Sequence, residues 1–192
     1  DYVNRLSSMV QRWSTIEPDF VCFTEDGNGL NSNVRVISLP EKNSLGHAVH
    51  GWWNKLALFQ RKFEEIGSHM LYFDLDVVIT GIIDPLLFYD SDFAIASNFY
   101  APSFDSSIMR IKNGMRPDIW TDFSENETKK VHGDEDWISL KVPDADIFPL
   151  DWCSIYRLHA VQGVPNDSLV ISFGGNPNPH EFPSSWVKDY WY

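Results

Sequence analysis

Segments with helical spacing of apolar residues alternate along this chain with short strand-like segments. Residues 2–13 repeat apolar side chains at helical spacing and predict an amphipathic helix. A second helical pattern covers residues 52–66, and we expect Gly67 to close that helix in a left-handed conformation. Residues 134–141 predict a third helix, and residues 186–192 a short final helix with Ser184 and Ser185 as its caps.

Short segments rich in β-branched and aromatic residues separate these helices. They predict strands over residues 20–24, 34–38, 71–79, 93–97, 107–111, 147–150 and 169–173. Strands that alternate with helices early in a chain are typical of an α/β sandwich with a mostly parallel central sheet. Since neither a repeat nor a linker interrupts the sequence, we predict a single domain over residues 1–192.

Two carboxylates interrupt the apolar segment 71–79. Asp74 and Asp76 are separated by one residue, so an extended chain would place both on the same side, at the end of a buried strand. Neighbouring carboxylates in a poorly solvated place stay ionised most easily when a cation lies between them. Oxygen ligands suit Mg²⁺ or Mn²⁺, which proteins usually share with substrate phosphates. The pair therefore indicates a divalent metal site, although a strand that ends in solvated acids has the same pattern.

Composition excludes several classes of partner. The chain is 43% apolar and 15% aromatic, which suffices for a folded core in 192 residues. Its net charge is -12 without a Lys/Arg cluster, so nucleic acid and anionic membranes are poor partners.

Cys22 and Cys153 have the spacing of neither a disulfide framework nor a metal site, and we predict buried thiols. We find no transmembrane segment and no signal peptide, and we therefore expect a cytoplasmic protein.

Four segments, in this order, resemble nucleotide-sugar glycosyltransferases of the GT-A fold, particularly the family related to glycogenin and bacterial galactosyltransferases. The segments are 20–26 (FVCFTED), 51–56 (GWWNKL), 71–76 (LYFDLD) and 133–137 (GDEDW). The resemblance implies a GT-A three-layer sandwich. It also implies transfer of a sugar from a nucleoside diphosphate sugar, with a UDP-sugar as the expected donor, to a saccharide or other hydroxyl acceptor. In that family the Asp-x-Asp motif binds Mn²⁺ or Mg²⁺ together with the donor's diphosphate, which implies this role for Asp74 and Asp76.

The resemblance implies roles for further residues. Lys55 corresponds to a donor phosphate contact. Asp105, Ser106 and Ser107 resemble an Asn-Ser-Gly segment that contacts sugar hydroxyls, although a turn cap uses the same residue types. Asp134 and Glu135 resemble the family's catalytic Asp-Gln-Asp segment. Glu135 replaces the Gln, which puts a nucleophile or base near the anomeric carbon. An acidic first turn stabilised by the helix dipole is the structural alternative for this segment.

The segment near the end of the chain departs from the family's pattern. Related enzymes carry His-Phe-x-Gly-x-x-Lys-Pro-Trp, in which the His binds the metal and the Lys binds a phosphate. Ser172 and Asn178 occupy those two positions here. We therefore expect Asn178 to contact the donor without a charge, and a weak site overall. His180 lies in the same segment and is our candidate for a further metal ligand, since His is common among ligands of Mn-like cations.

Two other functions stay open. A haloacid dehalogenase-type phosphotransferase also has an apolar strand that ends in Asp-x-Asp. Its later Gly-Asp-x-x-x-Asp motif is incomplete here, because Ile138 occupies the position of the last Asp after Gly133 and Asp134. A glycosyltransferase-like domain that binds a nucleotide or a sugar without turnover is the non-enzymatic alternative. It is motivated by Ser172 and Asn178, because a fold does not guarantee a function.

The first residues give one more expectation. In the GT-A fold a central strand precedes the first helix, whereas this sequence opens inside that helix. The strands predicted over residues 20–24 and 70–74 are too apolar for open sheet edges, so we expect an additional segment or another element to pair with them. Direct pairing of these two strands with each other would contradict this expectation.

Overall fold

A computed structural model of the chain describes residues 1–42, 51–100, 103–181 and 186–192. The helices are α1 (Tyr2–Arg12), α2 (Asp84–Leu87), α3 (Asp118–Thr121), α4 (Asp134–Lys141) and α5 (Val187–Tyr190). The strands are β1 (Phe20–Phe23), β2 (Val34–Ile37), β3 (His69–Phe73), β4 (Val77–Ile79), β5 (Phe93–Ser97), β6 (Phe104–Lys112), β7 (Asp146–Ile147), β8 (Cys153–Ile155) and β9 (Val170–Ser172). The predicted caps Ser184 and Ser185 lie outside the described residues.

The chain divides into two compact units. Unit 1 comprises Asp1–Ile37, Phe73–Tyr89 and Phe148–Tyr192, and unit 2 comprises Ser38–Tyr72 and Asp90–Ile147. The single domain over residues 1–192 stays a prediction.

The described strands of unit 1 form two small sheets. Strands β1 and β2 pair in parallel, and a second sheet has the order β4-β9-β8, with β4 antiparallel and β8 parallel to the central β9. Helix α1 packs on β4, because its apolar side chains Leu6, Met9 and Val10 are buried on one face. The guanidinium of Arg5 donates to the carbonyl of Trp191 at 3.0 Å and thereby ties the end of the chain to α1.

Unit 2 contains a sheet with the order β3-β6-β5-β7. The central strand β5 is antiparallel to β6 and parallel to β7. A 3-10 helix (Gly51–Phe59), α3 and α4 pack together in this unit. The indole of Trp137 in α4 donates to the carbonyl of Ile119 in α3 at 2.8 Å, so its polar atom is satisfied inside the core.

The α/β class is confirmed. The sheets β4-β9-β8 and β3-β6-β5-β7 combine parallel and antiparallel pairs, whereas β1 and β2 pair in parallel. The helix predicted over residues 52–66 is wrong beyond its first half, since the 3-10 helix ends at Phe59. The side chain of Asn113 explains this, because it accepts from the amide of Phe63 and donates to the carbonyls of Phe63, Ile66 and Gly67. These bonds replace the bonds of a helix, and Gly67 has no left-handed backbone.

The single strand predicted over residues 71–79 is also wrong. It breaks into β3 and β4, which belong to different sheets, and residues 74–76 lie in the connection between them. Leu75 is 46% exposed there. A buried strand interior would desolvate both carboxylates, whereas a turn leaves them within reach of water. Asp74 and Asp76 are thus neighbours in a turn rather than on one face of a strand.

The remaining predictions of elements agree in part. Strand β8 was not predicted, and the strand predicted over residues 147–150 overlaps β7 (Asp146–Ile147) only at Ile147. Among the described strands β1 pairs with β2 and β3 with β6, so the pairing that would contradict our expectation about the first strand is not found.

Both cysteines are free thiols, buried at Cys153 and half-buried at Cys22. No described helix has the length and apolarity needed to span a bilayer.

Candidate functional site

One edge of the β4-β9-β8 sheet in unit 1 collects polar groups. In the ladder, Ser172 of β9 lies between Val77 of β4 and Ile155 of β8. Because β4 runs against the other two strands, it begins at the edge where β8 and β9 end. The residues next to this edge in sequence form what we call the sheet-edge site: Asp74, Asp76, Arg157, Gly174 and Gly175. Ligands of α/β proteins commonly bind at the carboxyl ends of strands.

The carboxylates of this site are half-buried. Asp76 directly precedes the fully buried β4, which fixes the end of the turn that also contains Asp74. The pKa of the Tyr2 hydroxyl is raised, first by burial and then by the negative charges of Asp76 and Glu181. The carboxylate of Asp76 therefore interacts electrostatically with Tyr2 in the first turn of α1. Among the described residues, no three His, Cys, Asp or Glu side chains form a group that could hold a metal ion.

His180 is exposed and bonded to helix α1. Its Nδ1 and the hydroxyl oxygen of Tyr2 are 2.5 Å apart. In the tautomer with a proton on Nδ1, the imidazole donates to Tyr2 and keeps a lone pair on Nε2, which is the arrangement of most metal-binding histidines. The bond with Tyr2 is thus compatible with the role predicted for His180, which stays a prediction.

Ser172 and Asn178, which stand where the resembling enzymes have His and Lys, have different environments. Ser172 is only 3% exposed, and its hydroxyl donates to the carbonyl of Ser154 at 3.5 Å. A serine fits this buried position between two strands, where an imidazole needs considerably more space. Asn178 is half-buried, and its backbone amide donates to the carboxylate of Glu181. Its predicted contact with the donor stays a prediction.

Unit 2 contains a buried triad formed by Lys55, Ser106 and Asp134. The ammonium of Lys55 lies 2.9 Å from Oδ2 of Asp134, and the two side chains are 7% and 9% exposed. Lys55 also donates to the hydroxyl of Ser106 at 2.8 Å, and that hydroxyl donates to Asp134 at 2.7 Å. The triad joins the 3-10 helix, β6 and the first turn of α4. Each charge is compensated, as burial requires.

Glu135 directly follows Asp134 of the triad and is half-buried. Its pKa is raised to about 7, first by burial and then by the carboxylates of Asp105, Asp134 and Asp136, while Lys55 acts in the opposite direction. A carboxyl group with this pKa is populated in both protonation states at neutral pH. Such a group is suited to act as an acid, a base or a nucleophile.

The neighbouring carboxylates have structural partners. Asp136 accepts from the backbone amide of His132 at 2.9 Å, a bond that ties the residue before the N-cap Gly133 to the first turn of α4. Asp105 accepts from the amide of Ser107 at 2.9 Å, which is the turn-like contact that we weighed against sugar binding. The hydroxyl of Ser107 is buried without a hydrogen-bond partner in the described part of the chain. It is therefore available to a ligand hydroxyl or a water molecule.

The raised pKa of Glu135 gives a prediction for stability. Between pH 4.5, its ordinary pKa, and about 7, the folded protein holds a proton that the unfolded chain has lost. The free energy of unfolding therefore falls as the pH rises through this window. As the pH rises through this window, the free energy of unfolding of Glu135→Gln is therefore expected to rise relative to that of the parent. Allowing for the partial exposure of Glu135, we expect this relative rise to be about 1 kcal/mol.

Urea unfolding at a series of pH values checks this prediction. Glu64→Gln is the matched control, because Glu64 is an exposed carboxylate of the same unit. Its difference from the parent is expected to be constant with pH. Parallel pH profiles for the parent and Glu135→Gln would contradict the prediction.

The sequence named the members of the triad but not their association. Lys55 was predicted as a phosphate contact and Asp134 as a catalytic residue, whereas the structure pairs their charges inside unit 2. Nothing in the sequence indicates a pair across so many residues. Arg157 was missed altogether, since only the register of β8 and β9 reveals its place at the sheet edge.

Comparisons with known proteins place the fold. No family model matches the sequence, and no curated protein matches it. The structure of the galactosyltransferase LgtC, in complex with donor and acceptor sugar analogues, is similar with a TM-score of 0.66 at 13% identity, covering 93% of this chain and 84% of that chain. A variant of LgtC described as an active-site mutant gives 0.65 at 15% identity, covering 98% and 89%.

The glycosyltransferase GlyE of Streptococcus pneumoniae TIGR4 is similar with a TM-score of 0.67 at 13% identity. The match covers 93% of this chain but only 53% of GlyE, so the chain spans about half the length of that enzyme. At such identities the likeness concerns the fold. The chain has the GT-A fold of these glycosyltransferases.

Proposed function

We propose that the chain is a metal-dependent glycosyltransferase, which moves a sugar from a nucleoside diphosphate sugar, foremost a UDP-sugar, to a saccharide or other hydroxyl acceptor. The observation that carries the proposal is the position of Asp74 and Asp76. They lie in a turn at the edge where β8 and β9 end, in a chain with a glycosyltransferase fold. The description of the LgtC complex names donor and acceptor sugar analogues, which supports these two classes of partner.

The donor set of the sheet-edge site fits Mn²⁺ or Mg²⁺. Such ions are commonly bound by one or two carboxylates together with substrate phosphates and water, and Asp74 and Asp76 provide two carboxylates. We assign the metal to this pair, with His180 as the further candidate. The bound ion supplies Lewis-acid stabilisation of the charge on the departing diphosphate.

In unit 2 we assign the sugar and its transfer to Asp134 and Glu135. Lys55 and Ser106 hold the Asp134 carboxylate in one orientation, so that it presents a fixed acceptor to sugar hydroxyls. Glu135 has no such clamp among the residues that the structure describes, and its pKa of about 7 lets it hold or release a proton at neutral pH. A further role for Lys55 in phosphate binding remains part of the proposal.

A domain that binds a nucleotide sugar without turnover is the second candidate. It is favoured by the buried Ser172 and the uncharged Asn178, which replace a metal ligand and a phosphate-binding charge of the resembling family. The haloacid dehalogenase alternative gains no support from the comparisons, which match glycosyltransferase structures.

A calorimetric panel of nucleotide sugars, each titrated with and without Mn²⁺, tests the proposed donor. We expect a UDP-sugar to bind only with the metal and more tightly than GDP- and ADP-sugars. Binding that is equal with and without Mn²⁺ for every member of the panel would overturn the assigned metal site. The absence of any binding would overturn both candidate functions.

A further inference from the structure

Arg157 is the basic residue of the sheet-edge site. It lies two residues beyond the end of β8 and is exposed. A Cβ added to Gly175 would be 3.6 Å from Nη2 of Arg157, so the guanidinium lies over the glycine turn that follows β9. Gly174 and Gly175 have φ values of 43° and 91°, a conformation that favours glycine. Because neither residue has a side chain, the backbone of this turn is open toward Arg157.

The other arginines of unit 1 are engaged. Arg5 pairs with Asp1, Arg35 pairs with Asp19, and Arg12 donates to the carbonyls of Tyr190 and Tyr192. Arg157 forms no hydrogen bond or ion pair with the residues that the structure describes. It is therefore a cation without a counter-charge at an edge that otherwise carries carboxylates.

We propose that Arg157 binds the diphosphate of the donor and supplies the positive charge that Asn178 lacks. This inference rests on the proposed function. A nucleoside diphosphate approaches an edge that carries the carboxylates of Asp74 and Asp76, and Glu181 adds negative charge close enough to act on Tyr2 together with Asp76. One divalent cation offsets only part of that charge. A guanidinium adds two parallel donors that match phosphate oxygens, which an amide at residue 178 does not provide.

Isothermal titration of UDP in the presence of Mn²⁺ tests the proposal. We expect Arg157→Gln to weaken the affinity for UDP about 10-fold, and Arg157→Lys to weaken it less, because the point charge stays while the paired donors are lost. Uridine, measured by competition, is expected to bind equally to the parent and Arg157→Gln. In the Arg157→Gln background, Asn178→Lys is expected to restore part of the affinity for UDP.

Lys188→Gln is the matched control, since it removes the same charge from an exposed position of unit 1 in α5 and is expected to leave the affinity for UDP unchanged. Equal affinity of the parent and Arg157→Gln for UDP would overturn the inference and leave the proposed function standing. An equal loss for uridine would also overturn it. If the parent binds neither UDP nor a UDP-sugar with Mn²⁺, the proposed function fails first and the inference with it.

Discussion

The Asp76→Asn variant is expected to lose about 100-fold in metal-dependent affinity for UDP, which corresponds to about 2.8 kcal/mol. Asp76 provides one of the two carboxylates that we assign to the metal. Its replacement removes half of their charge and leaves a neutral amide oxygen as a poor ligand. Asp74→Asn is expected to have an effect of the same order. Calorimetric titration of UDP at a fixed concentration of Mn²⁺ measures both losses.

Asp167→Asn provides the matched control, because Asp167 is an exposed carboxylate of the same unit away from the sheet edge. It is expected to bind UDP like the parent. Circular dichroism of each variant separates a loss of binding from a loss of fold. Full affinity in a folded Asp76→Asn variant would show that the metal site lies elsewhere.

Breaking the buried triad is expected to have the largest effect on stability. Lys55→Met leaves the Asp134 carboxylate buried without its counter-charge, and such a loss costs about 3–5 kcal/mol. Urea unfolding of the parent and the variant measures the cost. Lys62→Met is the control, since Lys62 is an exposed lysine of the same unit.

The double variant Lys55→Met with Asp134→Asn separates the charge from packing. It removes both charges and keeps a polar partner for Ser106, so we expect it to be more stable than Lys55→Met alone. A double variant no more stable than the single one would contradict the charge compensation that we describe. It would indicate that the side chain of Lys55 contributes mainly by packing.

Elements with a strong local pattern could be predicted from the sequence. Helix α4 begins and ends as predicted, because an acidic first turn and helical spacing agree there. Strand β5 also has its predicted bounds, since an uninterrupted apolar segment suits a central strand. The helix α1 agrees to within one residue.

Elements decided by distant contacts could not be predicted. The end of the 3-10 helix depends on Asn113, which lies 50 residues beyond Phe63. The break between β3 and β4 depends on each strand finding a different sheet, and an apolar pattern with two acids is equally typical of one long strand. The candidate site shows the same limit. Its residue types were visible, whereas the pairing of Lys55 with Asp134 and the place of Arg157 follow from the register and packing of the chain.

Release of UDP from a UDP-sugar tests glycosyl transfer most directly, because transfer to an acceptor or to water breaks the same bond. The parent is incubated with Mn²⁺ and the UDP-sugar that binds most tightly, and free UDP is measured over time beside Asp76→Asn and a sample with chelator. We expect UDP to accumulate in proportion to the parent protein and only at background in the other two. A parent that binds the UDP-sugar but releases no UDP above the Asp76→Asn background, with any offered saccharide acceptor, would contradict the account and identify a binding domain instead.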